Sequence, residues 1–205
     1  MSESVPAAGS GSGDHAVVVV GASWGGLNAL ASLVGGLPGD FRAPLVVIQH
    51  RGQESRALLA GLLQDRTELS VGEAGNMEPL LSGHIYVAPA DHHLLLRSDH
   101  LLLDRAAPVR YSRPSIDVTF ASAAEAFGPG AIGVILTGAN ADGARGLRRI
   151  VDCGGRALVQ DPDSAEMPVM PRAAHLAVPE ATILHLDRIA RHLVSLIQRS
   201  EIHPA

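Results

Sequence analysis

The ten residues Val17-Val18-Val19-Val20-Gly21-Ala22-Ser23-Trp24-Gly25-Gly26 constrain this chain more than any others. Four consecutive β-branched residues predict a buried strand. Glycine ends it, and Leu27-Asn28-Ala29-Leu30-Ala31-Ser32-Leu33 has helical character. Strand, tight turn and helix follow one another, with Ser23 at the apex. Gly21-x-Ser23-x-Gly25 fits the nucleophile-elbow pattern, in which small neighbours let the chain turn sharply and hold a hydroxyl above the sheet. Two other readings stand beside it. A phosphate-binding turn would want Gly-x-Gly-x-x-Gly, yet Ser23 takes the middle glycine's place, and the next strand, Leu45–Ile48, ends in Gln49-His50 rather than an acid. A serine there also serves as a helix cap.

The rest of the chain alternates strand and helix. Strands are predicted at Leu45–Ile48, Leu69–Val71, His84–Pro89, His93–Arg97, Leu101–Leu103, Ala131–Leu136 and Ala157–Val159. Helices are predicted at Leu27–Val34, Arg56–Leu63, Ser115–Phe127, Gly143–Val151 and Leu186–Gln198. This order implies an α/β fold: a doubly wound, mostly parallel sheet with helices on both faces. The pair His93–Arg97 and Leu101–Leu103, joined by the polar turn Ser98-Asp99-His100, is expected to add an antiparallel hairpin at one edge. At 205 residues the chain suits one full core, expected over residues 15–200, with Ser/Gly-rich residues 1–14 and residues 201–205 as tails.

Composition narrows the partners. A net charge of −5 with no long basic run argues against nucleic acid and anionic membrane. No apolar stretch is long enough to span a bilayer, and the N-terminus lacks the regions of a signal peptide, so no membrane insertion is expected. The single cysteine, Cys153, excludes an internal disulfide and suits a reducing cytoplasm. It is expected to be a small buried residue at a helix end. Asp91-His92-His93 is a poor metal site, because neighbours on a strand point to opposite faces, and no paired-cysteine or HExxH pattern supports zinc.

In open parallel sheets, ligands gather beyond the carboxyl ends of the strands. Three long strands end there in Ser23, in His50, and in Thr137-Gly138-Ala139-Asn140-Ala141-Asp142. A serine, a histidine and an aspartate supply a nucleophile, the base that takes its proton, and the carboxylate that fixes the base's tautomer. Taken singly, His50 is also an ordinary strand-end residue and Asp142 a good helix N-cap.

These motifs together resemble the catalytic domain of the chemotaxis receptor methylesterase family, CheB. The resemblance spans about residues 15 to 200. It rests on Gly21-Ala22-Ser23-Trp24-Gly25-Gly26, Gln49-His50, Gly83-His84-Ile85-Tyr86-Val87-Ala88-Pro89, Arg113-Pro114-Ser115-Ile116-Asp117, Gly133–Gly138, Asp142-Gly143-Ala144 and Met170-Pro171-Arg172-Ala173-Ala174, in that order. It implies a triad of Ser23, His50 and Asp142 that hydrolyses glutamyl methyl esters on the helical cytoplasmic region of methyl-accepting chemoreceptors. Methanol and glutamate would be the products, and some members also deamidate receptor glutamines. No cofactor or metal is called for, and the setting is cytoplasmic. Candidates for holding the oxyanion or shaping the substrate site are Trp24, Gly25, Ala139 and Asn140. Three departures stand out. Trp24 replaces the family's common threonine, Ala139-Asn140 replaces its Met-Gly, and only a short tail stands where receptor-demethylating members carry a receiver domain. Constitutive activity, or control by a separate regulatory protein, is the expectation. Two competing readings are a non-catalytic module that binds receptor or signalling-complex proteins and a small-molecule esterase or amidase.

Overall fold

The computed structural model describes residues 16–50 and 58–202, with the side chains of 200–202 left aside. The elements are β1 (Val17–Ala22), α1 (Gly26–Gly35), β2 (Leu45–Gln49), α2 (Leu58–Gln64), β3 (Ser70–Glu73), β4 (Glu78–Pro79), β5 (His84–Val87), β6 (His93–Leu96) and β7 (His100–Asp104). They continue with α3 (Ile116–Phe127), β8 (Ala131–Ile135), α4 (Ala144–Asp152), β9 (Arg156–Gln160), α5 (Val169–Ala177), β10 (Thr182–Leu184) and α6 (Leu186–Ile202). The expected tail at 1–14, the last three residues of the tail expected at 201–205, and the first two residues of the helix expected from Arg56 lie outside the described residues, while 201–202 belong to α6 rather than to a tail.

Seven strands form one parallel sheet in the order β10-β9-β8-β1-β2-β5-β3. Every residue of β1 is buried, as four valines without a polar face require. Alternation then splits them between two cores. Val18, Val20 and Ala22 pack with Leu30 and Leu33 of α1, Leu63 of α2 and Leu193 of α6. Val17 and Val19 face the other way, toward Phe120 of α3, Leu147 of α4, Met170 of α5 and Leu94 and Leu96 of β6.

One expectation needs correction. The hairpin β6–β7 does not extend the edge of the main sheet. It pairs with β4 in a separate three-stranded antiparallel sheet, order β4-β7-β6. Leu94, Leu96 and Leu101 belong to the second core, so the hairpin buries its apolar face against that core rather than lengthening the sheet. Cys153 also differs: it is the half-buried C-cap of α4 rather than a fully buried residue. The last helix runs to Ile202, past the expected end at Gln198.

The strand order sets the site. The chain winds from β1 to β2, out to β3 at the edge and back in to β5, then crosses to the other side of β1 with β8. The switch point therefore lies between β1 and β8, where such sheets place their ligands. Ala22 is opposite Gln49 in β2, and Gly21 is opposite Ile135 in β8. Ser23, His50 and the chain after Leu136 consequently leave the sheet at nearly the same level.

Candidate active site

Ser23 sits in a turn held from three sides. Its N–H donates to Thr137 O at 3.0 Å, and its carbonyl accepts from Gly26 N at 2.9 Å and from Gln49 Nε2 at 2.7 Å. The cap of α1 is Gly25, at φ 73°, and no side chain caps this helix. Ser23 is thus not the helix cap that one reading of the sequence allowed. Among the described residues its Oγ has no hydrogen-bond partner. Gly25 is needed for its left-handed backbone, and a Cβ there would also meet the side chain of Glu166.

Thr137 locks this turn to the loop that leads into α5. Its Oγ1 donates to Trp24 O at 2.9 Å and accepts from Met167 N at 2.8 Å. Trp24 itself is 63% exposed beside Ser23.

His50 follows β2, with its backbone N–H on Ala22 O and its ring within reach of β8's loop. Its Nε2 lies 2.8 Å from Asp142 Oδ2, which makes Nε2 the protonated nitrogen and leaves the lone pair on Nδ1. Asn140 Nδ2 stands 3.3 Å from that Nδ1, while Asn140 Oδ1 accepts from Asp142 N at 3.0 Å. Asn140 therefore ties the His50 ring to the loop that carries Asp142. Ser23 Oγ and His50 are not hydrogen-bonded, but both line one open cleft of about 480 Å³ with Arg110, Tyr111, Ser112, Arg113, Pro114 and Asn140.

Asp142 is only 2% exposed and fully partnered. Oδ2 also accepts from Ile116 N at 2.7 Å, and Oδ1 accepts from Ser115 Oγ and Asp117 N, each at 3.0 Å. Burial pushes this carboxyl upward. The hydrogen bonds from His50 and from the N–H groups of Asp117 and Ile116 outweigh that cost and hold it below the ordinary value. Asp142 does cap a helix, though not the one that follows it. It closes the N-terminus of α3, while α4's own N-cap residue, Gly143, has no side chain to offer. Asp117 of α3 returns the contact: its Oδ1 accepts from Gly143 N at 3.0 Å and Gly146 N at 2.8 Å. Each helix start is thus neutralised by the other's carboxylate, an arrangement that suits the positive end of a helix dipole. It also fixes Asp142 against His50 from behind.

A second layer supports the first. His93, buried at the start of β6, accepts from Ser115 N at 3.2 Å through Nδ1 and reaches Ala107 O through Nε2 at 3.2 Å. His92 instead bonds Ala90 O and Arg105 Nε. The two neighbours thus serve separate partners. Arg113 clamps the loop before α3, with Nε 3.0 Å from Asp91 Oδ1 and Nη1 on Arg105 O and Ala106 O. The Arg113 hydrogen bond holds the Asp91 carboxyl below its ordinary value.

Of the oxyanion candidates, Trp24 and Gly25 begin the turn into α1, and Ala139 and Asn140 lie exposed in the loop after β8. Among the described residues the N–H groups of Trp24 and Gly25 have no acceptor. Gln49, Thr137, Ser115, Asp117 and His93 were not assigned roles from sequence. The runs Gln49-His50, Gly133–Gly138 and Arg113-Pro114-Ser115-Ile116-Asp117 are the sequence signals that point toward part of this set.

A serine, a histidine and a buried aspartate at the switch point of a parallel sheet mark an α/β domain with side chains of the kinds that acyl transfer uses. The sequence pattern of the CheB methylesterase family matches residues 18–193, and the chain belongs to that family. A relative in Leptospira interrogans is 40% identical over 188 residues, covering 91% of this chain and 97% of the relative. The protein-glutamate methylesterase/protein-glutamine glutaminase 2 of Anaeromyxobacter dehalogenans is 43% identical over 180 residues, 88% of this chain and 53% of that protein, so the chain spans about half its length. Among solved structures, the Thermotoga maritima CheB methylesterase catalytic domain superposes with a TM-score of 0.86 at 32% identity, covering 89% of this chain and 98% of that one. No described helix is long and apolar enough to cross a membrane.

Proposed function

We propose that this protein is a protein-glutamate methylesterase that acts on methylated chemoreceptors in the cytoplasm, with Ser23, His50 and Asp142 as its catalytic residues. The observation that supports this most is the 2.8 Å contact between His50 Nε2 and the buried Asp142, in the same cleft as a Ser23 hydroxyl that has no partner among the described residues. Ser23 Oγ attacks the ester carbonyl carbon while His50 Nδ1 takes its proton. Before that, Nδ1 must part from Asn140 Nδ2. Asp142 holds Nε2–H and stabilises the imidazolium. The tetrahedral oxyanion is held by the N–H groups of Trp24 and Gly25, which have no acceptor among the described residues, with the Ala139–Asn140 loop close to the same cleft. Collapse expels methanol, which takes the proton from His50. Water, activated by His50, then releases glutamate and restores Ser23. An amide in the ester's place gives ammonia by the same steps, so receptor glutamines are second substrates of the site.

The test is methanol release from receptor carrying labelled methyl esters, compared with Ser23→Ala. Release that vanishes in a folded variant supports the reading. Release that persists in it removes Ser23 from the mechanism. Binding to receptor with no release would favour the non-catalytic module instead.

A further inference from the structure

The wall of the cleft contains a turn whose backbone and side chains disagree. Val109 and Ser112 exchange both backbone hydrogen bonds, at 3.1 and 2.9 Å, and close a two-residue hairpin turn. Arg110 (φ 48°) and Tyr111 (φ 65°) occupy its centre, both left-handed. A turn of this kind asks for positive φ at both central positions and is met with least strain by Asn-Gly. Long side chains are disfavoured there. Packing does not compensate, because Tyr111 is 103% exposed and Arg110 is exposed too. Among the described residues the Arg110 guanidinium has no carboxylate partner, unlike that of Arg113. The mount beneath is firm: Arg113 pins Asp91, Arg105 and Ala106 at the foot of the turn. Backbone strain that no internal contact rewards, held rigidly at the rim of a reaction cleft, is a signature of a binding element.

We infer that this turn reads the polypeptide around the scissile ester: Arg110 pairs with a carboxylate flanking the esterified residue, and Tyr111 lies along the neighbouring side chains. The inference rests on the esterase reading and adds its substrate preference, an acidic segment. The ester itself is neutral and gives a cation a single carbonyl acceptor but no charge to pair with. A nearby unesterified glutamate offers a planar carboxylate that a guanidinium fits in two parallel hydrogen bonds. A tyrosine adds a broad amphipathic face with few rotors to freeze. With the chain at net −5, an arginine on the rim with no carboxylate partner among the described residues stands out as a local attractor for acidic substrate.

Two synthetic peptides test this, each with one central glutamyl methyl ester, flanked by glutamates in one and by glutamines in the other. The wild-type protein should show a KM about tenfold lower for the glutamate-flanked peptide. The double variant Arg110→Asn/Tyr111→Gly should lose that preference with kcat within about twofold, while its Tm rises by a few degrees because the strain is gone. Equal KM values for the two peptides, or a preference that survives in the variant, would overturn the inference. So would a lower Tm in the variant, which marks the pair as structural. Anisotropy of the labelled peptides on Ser23→Ala protein reads the same preference without turnover. Preference in binding with no methanol from wild-type protein would sink the esterase reading and leave the docking role standing.

Discussion

Replacing Asp142 by asparagine changes one oxygen to an amide nitrogen and should damage both folding and catalysis. The carboxylate accepts on both sides: Ile116 N and His50 Nε2 on Oδ2, Ser115 Oγ, Asp117 N and Gly143 N on Oδ1. On the Oδ2 side the new nitrogen faces the fixed Ile116 N–H, since His50 can shift its proton to Nδ1 and accept; on the Oδ1 side it faces two fixed donors, Asp117 N and Gly143 N. Each buried donor left without a partner costs about 1–3 kcal/mol, so the variant, taking the orientation that strands only Ile116 N, should lose about 1–3 kcal/mol. For a domain of this size that is a fall in Tm of roughly 2–10 °C. Turnover should fall by about three to four orders of magnitude, because asparagine no longer holds His50 in the tautomer that leaves Nδ1 free. Thermal melts followed by circular dichroism, with methanol release on the same samples well below the melt, measure both. A variant that melts within a degree of wild type, or keeps a tenth of the activity, would refute the reasoning about this carboxylate.

Other perturbations follow from the same contacts. Asp142 is held below the ordinary carboxyl value, so its contribution to stability is full above the unfolded value of about 4 and fades as pH falls through the depressed folded one. Urea melts from pH 7 to 2 should show a shallower acid limb in Asp142→Asn, and parallel limbs would contradict this. Gly143→Ala forces φ 94° on an L residue and brings a Cβ to 2.6 Å from both Ile116 Cγ2 and Ile135 Cδ1, so a loss of about 2–4 kcal/mol is expected in denaturant titrations. Thr137→Val strands Met167 N and frees the Trp24 carbonyl, costing about 1–3 kcal/mol. Its kcat should fall as the Ser23 turn loosens, and an unchanged kcat would show that the latch does not position Ser23.

The parts of this molecule visible in sequence are those set by local rules. Val17–Val20 could only be a core strand, and its turn into α1 was readable from glycine spacing. Elements escaped where the rule was masked. Helix α5 begins behind Pro168 and carries Pro171 in its first turn, a position proline tolerates but which reads as a break. Strand β10 is three residues of mostly exposed side chains, and β4 is two residues ending in proline. The hairpin was legible but not its address, because its pairing with β4 is decided by the second core. The same holds within the site. Asp142 before Gly143-Ala144 signalled a cap, yet its helix is α3, 26 residues away along the chain at Ile116. The exchange between Asp142 and Asp117 is a property of packing, and no spacing announces it.

The most direct test of the central claim is to treat the folded protein with a fluorophosphonate, which bonds covalently to an activated serine, and to locate the label by peptide mapping. Label on Ser23 alone, lost in His50→Ala and sharply slowed in Asp142→Asn, is the expected result. A Ser23 that stays unlabelled, or that labels equally well without His50, would contradict the assignment of these residues to an acyl-transfer site.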